Sequence, residues 1–396
     1  MRKRLSEFLA VIFFSCFAAL GPAGAAEESK GLPPGWLSLD GSVGVVDNAI
    51  QSGKASLESA LGIKIGGYLD TSYTWSSNHP KSPRNISYRY FDKDHNKIVF
   101  NDFHVAIEKP EKDWGVGFKI SGDFGRTGEL LREATFWGPG LRKEPSAELR
   151  EAYLTATIPI GEGIGVKGGL FVTTLGTEIL LNPGAYNDNI SRSFLFNFAI
   201  PLRHLGVLFS YPLLKTLTVT AGPVTGWDNP HDTNNQPSFL GGVTWAPVDW
   251  FTLASNVVAG AEQPRNNHND RVVVSNVATI KPMDPLTLYL EYTWGNEGGA
   301  GGHWNGWAAI ASYNWTERFN TALRGEIMHD KGGSRLGFKD QDLGEVTLTA
   351  AYKFTSQLLG RFEVRQDWAG VKSLKKGCCS LDKNQTTLAV QAIYGF

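Results

Sequence analysis

The stretch Thr387-Leu388-Ala389-Val390-Gln391-Ala392-Ile393-Tyr394-Gly395-Phe396 decides the fold class. Leu388, Val390, Ala392, Tyr394 and Phe396 fall on one parity and are apolar or aromatic. Thr387, Ala389, Gln391, Ile393 and Gly395 fall on the other and are mostly small or polar. Successive side chains of an extended strand point to opposite faces, so this is a strand with one greasy face. The pattern recurs toward the N-terminus. Phe362, Val364 and Trp368, interrupted by Gln366, oppose Arg361, Glu363, Arg365 and Asp367. Val346, Leu348, Ala350, Tyr352 and Phe354 oppose Glu345, Thr347, Thr349 and Lys353. The same holds for Leu286 to Trp294, Ala152 to Ile158, Trp114 to Asp123 and Ile63 to Trp75, with softer alternation near 270–282.

Connection lengths choose the architecture. The chain reads as about 16 strands of roughly ten residues, enough for a tilted strand to cross a bilayer. Every second connection is short: Pro110–Asp113, Ile160–Gly163, Pro212–Lys215, Pro247–Asp249, Pro282–Pro285, Thr316–Glu317 and Thr355–Ser356. Those between are long and rich in Gly, Asn, Asp and Pro: Ser76–Asn96, Thr127–Ser146, Thr177–Leu202 and Ala369–Lys383. A soluble sandwich or β-helix also alternates, but has no reason to segregate turn lengths by end. The expected fold is all-β: a closed antiparallel transmembrane barrel with short periplasmic turns and long extracellular loops.

Aromatic residues support that reading. Trp114, Trp315, Phe354 and Phe396 fall near the short-turn end of the greasy face, and Trp75, Trp294 and Trp368 near the long-loop end. Two girdles flanking an aliphatic band are the anchors expected at two membrane–water interfaces.

Composition agrees. Lys+Arg 38 against Asp+Glu 39 leaves a net charge of -1, which excludes a basic nucleic-acid coat and an acidic disordered tail. No segment after the N-terminal one reaches the ~18 apolar residues of a spanning helix, and mean hydropathy is -0.19. Arg2, Lys3 and Arg4 precede an apolar stretch from Phe8 to Leu20 and the small-residue site Ala23-Gly24-Ala25. That is a signal peptide over 1–25, so the protein is exported to the bacterial outer membrane. Residues 26–61 do not alternate and read as a linker or short helix, with a lumenal plug the sharper alternative; 62–396 form the barrel. Cys378 and Cys379, the two cysteines left after cleavage, are adjacent and cannot staple distant segments.

Charges must lie on the inner face, because an Arg or Lys facing mid-bilayer lipid costs roughly 2–4 kcal/mol. That parity assigns Lys119, Asp123, Glu151, Glu291, Arg324, Glu326, Arg361, Glu363, Arg365 and Asp367 to the lumen. A lumen of this kind is a wet channel rather than a packed core. Both signs are present, so charge selectivity is not legible, and for any one residue a wall-stiffening ion pair is the plainer role. The Thr177–Leu202 loop, carrying Arg192 among Ile179, Leu180, Phe194 and Phe196, is a candidate to fold inward as a constriction. The Thr127–Ser146 loop, with Arg132, Glu133, Arg142 and Lys143, competes for that role.

The chain also resembles a known family. Tyr394 and the terminal Phe396 resemble the C-terminal recognition signal of bacterial outer-membrane proteins, which implies handling by the barrel assembly machinery. Arg150-Glu151-Ala152-Tyr153, Lys167-Gly168-Gly169-Leu170-Phe171-Val172-Thr173, Gly176-Thr177-Glu178, Ser191-Arg192-Ser193, Pro201, His204-Leu205-Gly206, Gly226-Trp227-Asp228-Asn229 and Asn234-Asn235 resemble the β-barrel porin-2, OmpL-like family from about residue 62 onward. Thr225 stands where that pattern expects Asn. The resemblance implies an outer-membrane porin and supplies no solute.

Catalytic and metal patterns are weak. Asp92-Lys93-Asp94-His95-Asn96 opens like a calcium loop, but Lys97 and Phe103 occupy the positions of the turn glycine and the bidentate Glu. Scattered histidines form no zinc motif, and no nucleophile elbow or P-loop occurs. The expectation is therefore a passive channel for small hydrophilic solutes, set in outer-membrane lipid, without cofactor or metal. Barrels of this size often associate as homotrimers. The rivals are a surface-binding or adhesion barrel, with loops folded outward and a plugged lumen, and an outer-membrane hydrolase.

Overall fold

A computed structural model describes residues 54–56, 58–81, 85–111, 115–133, 147–180, 187–230, 232, 234–299, 301–338 and 340–396. The signal peptide over 1–25, the greater part of the 26–61 segment and Trp114 lie outside the described residues. Residues 54–56 and 58–61 are helical.

The strands follow in chain order: β1 (Lys64–Ser76), β2 (Ile98–Lys109), β3 (Val116–Phe124), β4 (Ala147–Ile158), β5 (Ile164–Val172) and β6 (Arg203–Leu214). Then come β7 (Leu217–Val224), β8 (Ser238–Val248), β9 (Phe251–Ala261), β10 (Asp270–Met283), β11 (Leu286–Glu297) and β12 (Gly302–Asn314). The series ends with β13 (Phe319–Lys331), β14 (Gln341–Lys353), β15 (Leu358–Ala369), the short hairpin β16 (Leu374–Lys376) with β17 (Ser380–Asp382), and β18 (Asn384–Gly395). Each barrel strand pairs antiparallel with its neighbour, and β18 pairs both β15 and β1, from Tyr68↔Gly395 to Ser76↔Thr387. Closure leaves a 16-stranded barrel without an open edge, which hydrocarbon requires because it offers backbone groups no partner. No helix among the described residues is long and apolar enough to cross a membrane; strands make the crossings.

Alternation holds around the wall. In β14 and β15, Leu348 and Phe362 are about half exposed on the outer face, while Thr347, Arg365 and Asp367 are buried inside. The short connections fall at one end and the long loops at the other, as the spacing predicts.

The register shifts in five strand pairs; three of the shifts lie beside short turns, and the two in β2 and β4 serve the interior. Asp70↔Asp102 is followed by Thr71↔Phe100, so Asn101 is an extra residue in β2. Ser121↔Glu151 is followed by Gly122↔Leu149, so Arg150 is an extra residue in β4. Such bulges re-aim side chains locally. The second turns Arg150 and Glu151 both inward between the lipid-facing Leu149 and Leu154.

Candidate functional site

The site is built by the β5–β6 connection. Of this connection, the described residues 173–180 and 187–202 are largely buried within the barrel, with a π-helical turn at Leu195–Ala199. Where this segment packs against the wall it is shielded from bulk water, so its N–H and C=O groups need protein partners or trapped waters. Wall carboxylates take the N–H groups. Glu363 accepts from Ile190 at 2.6 Å and from Ser191 at 3.1 Å; Glu326 accepts from Phe194 at 2.6 Å and Leu195 at 2.5 Å. Glu291 accepts from Thr177 at 2.8 Å, and the loop's own Glu178 accepts from Ser193 at 2.7 Å. Wall guanidinium groups supply the carbonyls: Arg361 donates to Asn187 O at 2.8 Å, Arg324 to Ser191 O at 2.7 Å and Arg365 to Arg192 O at 2.7 Å.

The loop's apolar side chains pack on the neighbouring strands β8 to β10 and on β12. Phe194, Leu195, Phe196, Ala199 and Ile200 join inward-facing Leu240, Val258, Val273 and Trp304 in one cluster. Trp304 Nε1 donates to Ala199 O at 3.0 Å. Gly306 permits the approach, since a Cβ there would stand 2.6 Å from Leu195 Cδ2 and 2.5 Å from Ile327 O. Gly176, at φ +81, makes the entry turn, where a Cβ would meet Ile200 Cδ1 at 2.5 Å. Polar and apolar wall side chains thus hold one amphipathic segment from several sides.

The loop's two ends are fastened together. Thr173 N donates to Leu202 O at 3.0 Å, and His204 lies 3.1 Å from the Thr173 hydroxyl. Asp228 Oδ1 accepts from Leu202 N at 2.7 Å and Arg203 N at 2.8 Å. Burial raises the Asp228 carboxyl above its ordinary range, and those two N–H groups oppose the rise. Thr225, the departure from the family pattern, donates its hydroxyl to Leu205 O at 3.3 Å and to Asn229 O, bracing the same corner. At the rim, the Arg335 guanidinium lies 4.4 Å from the Trp227 ring centre and 5.3 Å from that of Trp304. Burial and the nearby Arg271 push the Arg335 pKa down to about 10.

The charges assigned to the lumen all face inward, but they are not a free ladder in water. Arg324 pairs with Glu345 at 2.6 Å and Glu178 at 2.8 Å; Arg365 pairs with Asp367 at 2.5 Å; Lys119 pairs with Glu151 at 2.6 Å. Asp123 meets Arg150 at 2.5 Å and His104 at 2.8 Å. With Glu291, Glu326, Arg361 and Glu363 engaged by the loop, most of the ladder takes the plainer role that the sequence offered, ion pairing, and also serves as buried scaffold for the inward loop. The physical reason is the inward loop, whose backbone demands those partners.

Sequence reasoning missed several participants. Arg89, from the 77–97 connection, reaches inside to Asp367 at 3.0 Å and Thr387 at 3.1 Å. The same connection sets Phe91 against Phe196 in a tilted contact, with ring centres 6.0 Å apart. In the calcium-like stretch, Asp92 is held by Arg89 at 2.6 Å and Asp94 by Arg126 at 2.9 Å. The Thr127–Ser146 competitor begins as helix α1 (Arg126–Glu133), with Leu130 and Leu131 fully buried; its residues 134–146 lie outside the described residues. Asp102 also escaped notice, and Arg150, quoted only within the family pattern, carried no assigned role. Their signal was present: Asn101-Asp102 and Arg150-Glu151 are polar pairs that interrupt alternation, the mark of a bulge.

Of the aromatic anchors, Trp315 and Phe354 are well exposed on the outer face and Trp294 less so; Trp75, Trp368 and Phe396 are partly exposed. Trp245, Trp250 and Trp307 add to the exposed set. Tyr394 faces outward beside the closing seam, where Phe396 N donates to Gly67 O at 3.1 Å.

Beside Arg192 the lumen keeps a cavity of about 50 Å³, room for a few waters. Arg150, Arg192, Asp70, Asp92, Asp102 and Tyr68 lie on its lining, with Asn101, Ser72 and Gln391 between them. Both bulges deliver residues to this spot. Arg192 projects from the loop with its guanidinium 5.5 Å from the Phe196 ring centre, and burial lowers its pKa.

A family model described as "Putative beta-barrel porin-2, OmpL-like" matches residues 62–396. Among solved structures, the chain is similar to an anion-selective porin from Comamonas acidovorans, at 11% identity and TM-score 0.59, covering 84% of this chain and 99% of that one. It is similar to the outer-membrane channel DcaP of Acinetobacter baumannii, at 12% identity and TM-score 0.56, covering 84% and 97%. It is also similar to the trimer form of OmpT from Vibrio cholerae, at 11% identity and TM-score 0.51, covering 84% and 99%. No curated protein matches the chain by sequence.

Proposed function

Because the chain belongs to the β-barrel porin-2, OmpL-like family, we propose that it is an outer-membrane channel passing small hydrophilic solutes by diffusion past a fixed constriction. The observation that carries this reading is the tethering of the Ile190–Leu195 backbone by Glu363 and Glu326. A loop bound across the lumen by wall charges narrows a channel without sealing it, and charged groups around the gap set the field that solutes cross. Residues 1–25 act as the export signal, Tyr394 and Phe396 as the assembly signal, and a homotrimer is the assembly. The last point rests on the trimer form known for a barrel of the same fold. The reading includes no catalytic step. An adhesion barrel would turn its long loops outward, whereas the described part of the β5–β6 connection packs inside.

Stepwise ion currents from purified, heat-modifiable protein in planar bilayers test the proposal. Folded protein that never produces such steps overturns it.

A further inference from the structure

We infer that the cavity beside Arg192 is a transit site for small zwitterions, solutes carrying a carboxylate and an ammonium group a few bonds apart, of which amino acids are the type. The inference rests on the channel reading above and names the solute for that constriction.

Arg192 is only 7% exposed, its Nη1 has no hydrogen-bond partner, and no carboxylate among the described residues lies within ion-pair distance of it. Arg150 spends Nε and Nη2 on Asp123, Asp102 and Tyr68, yet its Nη1 is also unpartnered. On the same lining, Asp102 Oδ1 and Asp92 Oδ1 accept nothing. Buried polar groups are normally satisfied, and a charged one left bare is costly. Two guanidinium groups and two carboxylates, each keeping one bare buried atom, belong to residues that line one small space, and together they describe the complement of a dipolar ion. A simple anion would meet the two arginines but be repelled by Asp70, Asp92 and Asp102; a simple cation would meet the reverse. A neutral sugar avoids both penalties but forgoes the charge-assisted bonds on each side. The site is small and solvent-connected, so occupancy is brief, as conduction requires.

The test is single-channel KCl current through the wild-type protein with alanine, acetate, methylammonium or glucose added at equal concentration. Alanine is expected to interrupt the current saturably, and the others weakly or not at all. Arg192→Gln should weaken that interruption roughly tenfold, about one charge-assisted hydrogen bond; Asp102→Asn should act in the same direction if Arg192→Gln fails to fold, and heat-modifiability reports folding of each. Alanine no more effective than glucose means the cavity holds only water, and acetate as effective as alanine means an anion site; either result overturns the inference. So does alanine interruption that persists undiminished in a folded variant. Absence of KCl current from folded wild type instead defeats the channel reading itself.

Discussion

Glu326, on β13, accepts the backbone N–H of Phe194 at 2.6 Å through one oxygen, and its other oxygen accepts the next N–H in the chain. A wall carboxylate therefore caps the start of the π-helical turn, where free N–H groups concentrate positive charge. Hydrogen bonds to a charged group contribute roughly 1.5–3 kcal/mol each. Glu326→Ala should lower the thermal midpoint of heat-modifiability by several degrees and loosen the constriction. Liposome swelling with graded neutral sugars would then show a raised size cutoff; an unchanged cutoff in folded protein argues against a constricting role for the loop.

Asp228 offers a separable test of the loop's exit. Both N–H groups go to a single oxygen, Oδ1, which an asparagine retains. Asp228→Asn should therefore be nearly neutral, whereas Asp228→Ala strands two buried donors at about 1–3 kcal/mol each. Because burial raises the Asp228 pKa in the folded state, its contribution is fully present below the unfolded pKa. That contribution is lost as pH rises through the raised value. Asp228→Asn should thus gain on the wild type as pH goes from acidic to neutral, read from unfolding midpoints at each pH. A difference that stays flat with pH contradicts the assignment.

Leu348 is half exposed on the outer face, opposite Val364 and Leu323 in the neighbouring strands. Leu348→Arg should cost roughly 2–4 kcal/mol if that face meets mid-bilayer lipid. Folding yield into vesicles at graded urea would measure it. A cost near zero would mean that this face meets water.

Cys378 and Cys379 are exposed next to the β16–β17 turn, on the long-loop side. A membrane-impermeant maleimide should label them on intact cells. Labelling that requires permeabilisation would invert the orientation of the barrel.

The strands, most of their parity, the segregated turn lengths and the fact of closure are legible from residue order alone. The physical reason is that each strand residue partitions between lipid and lumen through its own side chain, as Leu348 and Thr347 do. Parity likewise placed Arg324, Glu326, Arg361 and Glu363 inside. It could not say what they touch, because their partners in the loop are more than a hundred residues away, as with Arg324 and Ser191. The bulges at Asn101 and Arg150 left only a broken alternation to read, and their meeting at one cavity depends on β1 to β4 being laid side by side. Sequence by itself determined a barrel with a charged interior, because solvent preference is a property of single residues. Only tertiary structure decided that most of those charges hold a loop across the lumen while Arg192 keeps an unpartnered nitrogen beside a cavity, because pairing is a property of distances that the closed sheet creates.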